Sequence, residues 1–274
     1  MSRNIIDQIA WWIPIRSLRD KFREKLINRL VKDVIKYLPV DDSEPINLPD
    51  EWYHYPDAPI QNKDIIKILN NSFEGDKSKV KVLEIGSRVL GEDTRNGRIH
   101  FPGMDYTGFD YHAGPNVDVV GDAHKLSSYF KEDEKFDIVV SVAVFEHLAM
   151  PWKVAEEIFK VLKPGGYVYI CTHFAWALHE RPWHFFHFTD MGLKVLFNET
   201  LGFKCLESGF TDLLVVKFSK FTYERVRNKP FPGLYGGVQY FGQKIKDKLD
   251  YDWNAMTVDK VVPNTEYPKP TYNK

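Results

Sequence analysis

Apolar and polar residues follow two rhythms along this 274-residue chain. In the middle, short β-branched runs alternate with stretches of helical spacing. Val80, Val82, Leu83 and Ile85 make the first run, which suits a strand buried on both faces of a parallel sheet. Tyr106 to Asp110, Val117 to Val120, Phe136 to Ser141 and Tyr167 to Cys171 supply four more. Asp64 to Phe73 reads as a helix leading into the first strand, and Ile158 to Leu162 closes another at Lys163-Pro164-Gly165-Gly166. Strands alternating with helices predict an α/β protein with a parallel sheet covered on both faces. Gly202 to Glu207 and Leu213 to Phe218 read as the last strands, and Gln243 to Leu249 as a short charged helix.

The second rhythm is N-terminal. Leu18, Phe22, Leu26, Leu30 and Val34 recur at spacing four, which predicts an amphipathic helix outside the sheet. Its polar face from Arg16 to Lys36 carries eight basic residues and three acids, a balance of +5. Such a helix either lies on an anionic membrane surface or packs on the domain or a second subunit. Residues 39–62, dense in proline and aromatics, are a cover segment or a linker. The expected organisation is an extension over 1–62, a sheet domain over 63–221 and a C-terminal extension over 222–274.

Composition narrows the function. A net charge of −1 gives no overall attraction to nucleic acid or anionic membrane. Cys171 and Cys205, the only cysteines, are too few for a disulfide framework or a zinc site of their own, and read as reduced, buried thiols. No run reaches the roughly 18 apolar residues of a spanning helix, and no apolar core follows a basic start as in a signal peptide. A cytoplasmic protein is expected.

Chemistry enters at the strand ends. The first run passes Glu84 and stops at Gly86, where a missing Cβ lets a ligand or another backbone come close. Asp110 ends the second strand 24 residues later (110 minus 86). In nucleotide-binding α/β folds an acid at about that distance holds ribose hydroxyls. The third strand runs into Gly121-Asp122-Ala123-His124 and the fourth into Phe145-Glu146-His147.

In this order, VLEIG, GFD, GDAH, FDIVVSVAVFEHL and LKPGGYVYI resemble the class I S-adenosylmethionine-dependent methyltransferases over roughly residues 80 to 220. The resemblance implies a Rossmann-like, doubly wound sheet with an antiparallel last strand, and S-adenosyl-L-methionine as cofactor. It places Glu84 and Gly86 beside the methionine part, Asp110 at the ribose, and Asp122 and Ala123 at the adenine, with Ser87, Tyr111 and His124 also in the cofactor pocket. Ala143 and His147 complete the implied pocket. The alternate glycines usual in the family after the acid are replaced here by Ser87-Arg88-Val89-Leu90.

Five of the nine histidines, His147, His173, His179, His184 and His187, fall within 41 residues, on segments expected to meet at one rim. Methyl transfer to an alcohol needs a base, and histidine takes a proton near neutral pH. His173 and His184 are the expected bases, with His187 as a further catalytic candidate. On a helical turn His184 and His187 share a face and form a metal set with His179 or Glu180. The aromatics around them argue instead for a stacking wall, so no metal is expected. Pro182 to Thr189 also resembles a stretch of polysaccharide-locus methyltransferases, in which Asp and Arg often stand at the positions of His184 and His187. The leader Trp12 to Arg23 resembles one seen in bacterial enzymes that build lipopolysaccharide and capsule.

The expected activity is O-methylation of a sugar or phosphate-type oxygen on a surface-polysaccharide precursor. The alternatives are a small-molecule N-methyltransferase and a non-catalytic, cofactor-binding partner of a glycan-assembly complex. Nucleic-acid substrates are disfavoured, since no Asn-Pro-Pro-Tyr or Asp-Pro-Pro-Tyr string follows the fourth strand. Peripheral membrane contact through 1–38 and a homodimer are the expected associations.

Overall fold

The computed structural model describes Phe22, Lys25 and residues 63–89, 97–219, 221–227 and 230–262. Phe22 and Lys25 are helical and exposed; the rest of the basic stripe, the cover segment 39–62 and the tail beyond 262 lie outside the described residues. The chain divides into Met1–Pro49 and Asp50–Lys274, and the sheet belongs to the second unit.

Helix α1 (Ile65–Asn71) begins where the Asp64 side chain accepts a hydrogen bond from the Lys67 N–H at 3.0 Å. It leads into β1 (Lys81–Ile85), followed by β2 (Asp105–Asp110), β3 (Val119–Val120) and β4 (Phe136–Val142). Helix α2 (Pro151–Val161) opens with proline in its first turn, where no N–H is needed. Then come β5 (Leu162–His173), α3 (Asp190–Leu196), β6 (Phe203–Lys217), β7 (Pro230–Lys244) and the single turn α4 (Val258–Val261). The strands form one sheet in the order β3-β2-β1-β4-β5-β7-β6. β1 to β5 run parallel, and β7 runs antiparallel to both neighbours. This is the mostly parallel, doubly wound sheet with an antiparallel strand that the sequence predicts.

Alternation along the strands builds two cores. Val82, Ile138, Val140 and Tyr169 face α1 through Ile65 and Leu69. Leu83, Ile85, Val139 and Val168 face the opposite layer, with Val154, Ile158 and Phe159 of α2 and Leu193 and Leu196 of α3. Two covered faces explain why these strands read as nearly continuous apolar runs. Both cysteines are free and lie in strands, as expected, but each is only partly buried. None of the described helices is long and apolar enough to cross a membrane.

Three elements differ from expectation. β5 starts at Leu162, so Lys163-Pro164-Gly165-Gly166 is the entry of the strand. β6 continues through Ser208 to Asp212, and its register shifts at Cys205/Glu207 and Leu214/Val216 absorb the misfit. The third difference is the largest. β7, in a stretch rich in proline and glycine where no strand was expected, fills the slot between β5 and β6. Gly237 sits between His173 and Thr211 of the flanking strands, where a Cβ would come within 2.5 Å of the Thr211 hydroxyl. Glycine there permits close strand approach. Gln243 and Lys244 therefore end a strand, and 245–249 are irregular rather than helical. Residues 230–244 are thus an inner strand of the sheet.

Phe197, buried just after α3, ties that layer together. Its ring packs against Phe145, Phe203 and Tyr240 at centroid distances of 5.8, 5.3 and 5.2 Å, and its carbonyl accepts from the Tyr240 hydroxyl at 2.8 Å. Phe197→Ala is expected to lower the free energy of unfolding by about 3–5 kcal/mol. Tyr240→Phe, which removes one hydrogen bond, is expected to cost about 1 kcal/mol. Urea denaturation of the two variants checks the ordering.

Candidate active site

β1 and β4 are neighbours, and the chain leaves them toward opposite edges of the sheet. Such a switch point opens a crevice beyond the carboxyl ends of the strands. Gly86 lines it with φ +83°, and a Cβ there would run into the Val144 side chain. Only glycine meets both demands. Ser87 is buried, its N–H donates to the Phe109 carbonyl at 3.2 Å, and its hydroxyl has no hydrogen-bond partner. Ala143, at the end of β4, has φ +53°, a left-handed conformation that costs a non-glycine residue energy and marks sites under functional constraint.

The two acids share a face of the sheet. Glu84 pairs with Gly108, and Asp110 lies two residues further along the same strand. Glu84 accepts from the Tyr106 hydroxyl, which also receives the Asn116 amide at 3.0 Å. Gly97 packs against the Glu84 carboxylate with no room for a Cβ. Burial raises the Glu84 carboxyl to about 7, with Arg98 pulling weakly the other way. At Asp110, Oδ1 accepts from the His112 N–H at 2.8 Å and lies 3.3 Å from Arg88 Nε. Asp110 Oδ2 receives one long bond, 3.4 Å, from the Arg88 N–H. Arg88, in the place of a family glycine, is thus paired with the acid expected to hold ribose.

The third loop is braced from within. Asp122 Oδ1 accepts from the His124 N–H at 2.9 Å and lies 2.7 Å from His124 Nδ1, while His124 Nε2 accepts from the Met150 N–H at 3.2 Å. These contacts put the ring proton on Nδ1. Ala123 is buried beside them. Tyr111 is exposed and leans on Trp183 at 6.1 Å, which links the end of β2 to the histidine-rich segment.

The histidines do meet at one rim. His179 has ring centroids 4.8 Å from His147, 5.3 Å from His173 and 4.6 Å from His184, and His187 is 4.9 Å from His184. Residues 182–188 are irregular, so the pairing of His184 with His187 owes nothing to a helical turn. His147 stands with this group: its Nδ1 is 2.6 Å from the Trp183 carbonyl. His173 stacks on Trp176 at 5.1 Å with the planes 6° apart. Burial lowers the His173 imidazole below its usual value; the Glu146 charge opposes this and the neighbouring histidines add to it. His187 is lowered in the same way, first by burial and then by His184.

At the centre is Glu146, 0% exposed, with Oε2 accepting from the Thr172 hydroxyl at 2.7 Å. Its peptide carbonyl accepts from the N–H groups of Phe185 and Phe186 at 2.8 and 3.2 Å, which pins the histidine segment to the end of β4. The sequence offers Glu146 only as half of a Glu-His pair. Its central place depends on β4 and β5 being adjacent, and no spacing signals that. Gly97 and Trp176 were likewise not visible, because each acts through a partner distant in the chain.

A doubly wound sheet with a glycine turn at its switch point and an acid at the next strand tip defines a nucleoside-binding domain. Residues 82–170 match the family model of the methyltransferase domain. That match marks residues 82–170 as a methyltransferase domain, with S-adenosylmethionine as its cofactor. No curated protein sequence matches the chain significantly. Among solved structures, it is similar to the YcgJ protein from Bacillus subtilis, at 15% identity over 66% of this chain and 98% of the other, with a TM-score of 0.47. A SAM-dependent methyltransferase from Archaeoglobus fulgidus gives 19% identity over 66% and 93%, with a TM-score of 0.44. The Burkholderia thailandensis 1,6-didemethyltoxoflavin-N1-methyltransferase, solved with S-adenosylhomocysteine, gives 14% identity over 66% and 76%, with a TM-score of 0.44. Likenesses this distant add no argument to the strand order and the matched domain.

Glu84 yields a test of the crevice. Its folded-state carboxyl titrates near 7, above the ordinary 4.5. The folded state therefore holds this proton more tightly than the unfolded chain does. The stabilisation is complete below about pH 4.5 and is lost as pH rises through about 7, at up to about 1.4 kcal/mol per unit. Glu84→Gln, permanently neutral, is expected to lack this component. The difference in unfolding free energy between wild type and variant, followed from pH 4 to pH 8, is expected to move in the variant's favour.

Proposed function

We propose that the enzyme methylates a sugar or phosphate-type oxygen on a precursor of a bacterial surface polysaccharide. The observation that supports this reading is the rim of five histidines around the buried Glu146, at the carboxyl ends of β4 and β5. A neutral hydroxyl is a poor nucleophile, so its proton must leave as the methyl group arrives, whereas an amine needs far less help. His173, His184 and His187 are the proposed residues that serve the acceptor. The exposed rings of Trp176, Trp183 and Phe185 beside them suit stacking against a sugar.

The crevice fits the cofactor. The Cβ-free cradle at Gly86, the unpartnered Ser87 hydroxyl and the under-used Asp110 Oδ2 are features an adenosyl group can use. In this proposal Glu84, Gly86 and Ser87 hold the methionine part, Asp110 and Tyr111 the ribose, and Asp122, Ala123 and His124 the adenine edge. Ala143 and His147 form the wall toward the acceptor. When bound, the cofactor supplies the electrophilic methyl group. The protein aligns the acceptor oxygen, accepts its proton and excludes water. The +5 stripe of residues 16–36 is proposed to hold the enzyme on the inner face of the cell membrane.

The test combines product analysis with two variants. With S-adenosylmethionine and defined sugar and sugar-phosphate acceptors, the product is expected to carry a new O-methyl group by NMR. His173→Ala and His184→Ala are each expected to lower turnover by about 10²-fold or more. Calorimetry is expected to show unchanged affinity for S-adenosylhomocysteine in both. Transfer to amines alone, or full turnover in both variants, overturns the reading.

A further inference from the structure

We infer that Glu146, His173 and His179 bind a divalent transition-metal ion at the acceptor side of the crevice. One ligand atom from each lies within 4.8 Å of the others, and Glu146 Oε1 is 3.1 Å from His173 Nε2. Ligands about 2.1 Å from a tetrahedral ion stand about 3.4 Å apart, so the set closes on one with a shift of about an ångström. The three groups come from the loop after β4, the end of β5 and the irregular segment beyond it.

Two further observations point to a ligand. Glu146 is fully buried, yet its Oε1 has no hydrogen-bond partner. His173 is near enough to donate, but the contact is misaligned for an N–H···O bond. A bare carboxylate oxygen in the interior is costly, and a cation removes that cost. The surrounding bonds also match those of metal ligands. The second carboxylate oxygen is held by the Thr172 hydroxyl at 2.7 Å, and His179 Nδ1 is 3.0 Å from the Ala177 carbonyl. A ligating histidine usually donates its other ring N–H to a backbone carbonyl or carboxylate, which leaves Nε2 for the metal. His147 repeats the arrangement, with Nδ1 on the Trp183 carbonyl and Nε2 3.9 Å from Glu146 Oε1.

The donor set names the class of ion. Two imidazoles and one carboxylate suit zinc, manganese or ferrous iron, and they leave positions open. An open position beside the methyl donor would take the acceptor oxygen and lower its pKa. His184 fits that arrangement: its Nδ1 accepts from the His179 N–H at 3.2 Å, so Nε2, buried and unpartnered, carries a proton. That N–H is a donor for an oxygen held on the ion. His173 then serves the acceptor as a ligand, and proton transfer falls to the other rim histidines. This role rests on the O-methylation reading above; metal binding itself does not.

Cobalt(II) separates the two. Chelator-treated full-length protein, titrated with cobalt(II), is expected to take up about one ion per chain and to develop visible d–d absorption. The same protein is expected to gain thermal stability from zinc(II). His179→Ala and Glu146→Gln, each checked for a native circular-dichroism spectrum, are expected to weaken cobalt affinity by at least about 100-fold. Wild-type protein that shows neither uptake nor absorption overturns the site. So does cobalt affinity unchanged in a folded His179→Ala. Cobalt uptake without methyl transfer to any sugar acceptor upholds the site and overturns the acceptor reading alone.

Discussion

The close packing of Gly86 against Val144 is the constraint on which the rest of this molecule depends. The loops after β1 and β4 cross there without a Cβ between them, and Ala143 holds a left-handed backbone to let the chain turn. A side chain at Gly86 would push the loops apart and spoil both the crevice and the approach of Glu146 to β5. One glycine thus couples the crevice to the histidine rim.

Charge is handled differently on the two sides. In the crevice, Glu84 is buried under Tyr106 and Gly97 and is held near neutrality, while Asp110 keeps Arg88 and the His112 N–H as partners. Across the rim, five imidazoles crowd one buried carboxylate, and burial favours the neutral forms of His173 and His187. Neutral imidazoles can accept protons or bind metal; a ring of imidazolium ions could do neither.

Much of this was legible in the sequence. The runs at Val82 to Ile85, Phe109 and Phe136 to Val140 announced strands because both faces of a parallel strand are apolar. Gly86 and Asp110 announced a nucleoside site because the chemistry constrains their spacing. The helix that opens at Asp64 was readable as well. β7 was not readable, since Pro230, Gly233, Gly236, Gly237 and Gly242 carry no strand pattern and pair only because β5 and β6 lie on either side.

The sequence by itself determined the class of fold and the crowding of histidines into one stretch, which rest on local pattern and short-range spacing, while the cofactor followed from the family that its motifs resemble. The tertiary structure alone decided that Arg88 meets Asp110, that β7 is an inner strand, and that Glu146, rather than any histidine, is the buried centre of the rim. Those outcomes depend on which strands become neighbours. Adjacency in a sheet is settled by the burial of whole faces, and no single stretch of chain contains that information.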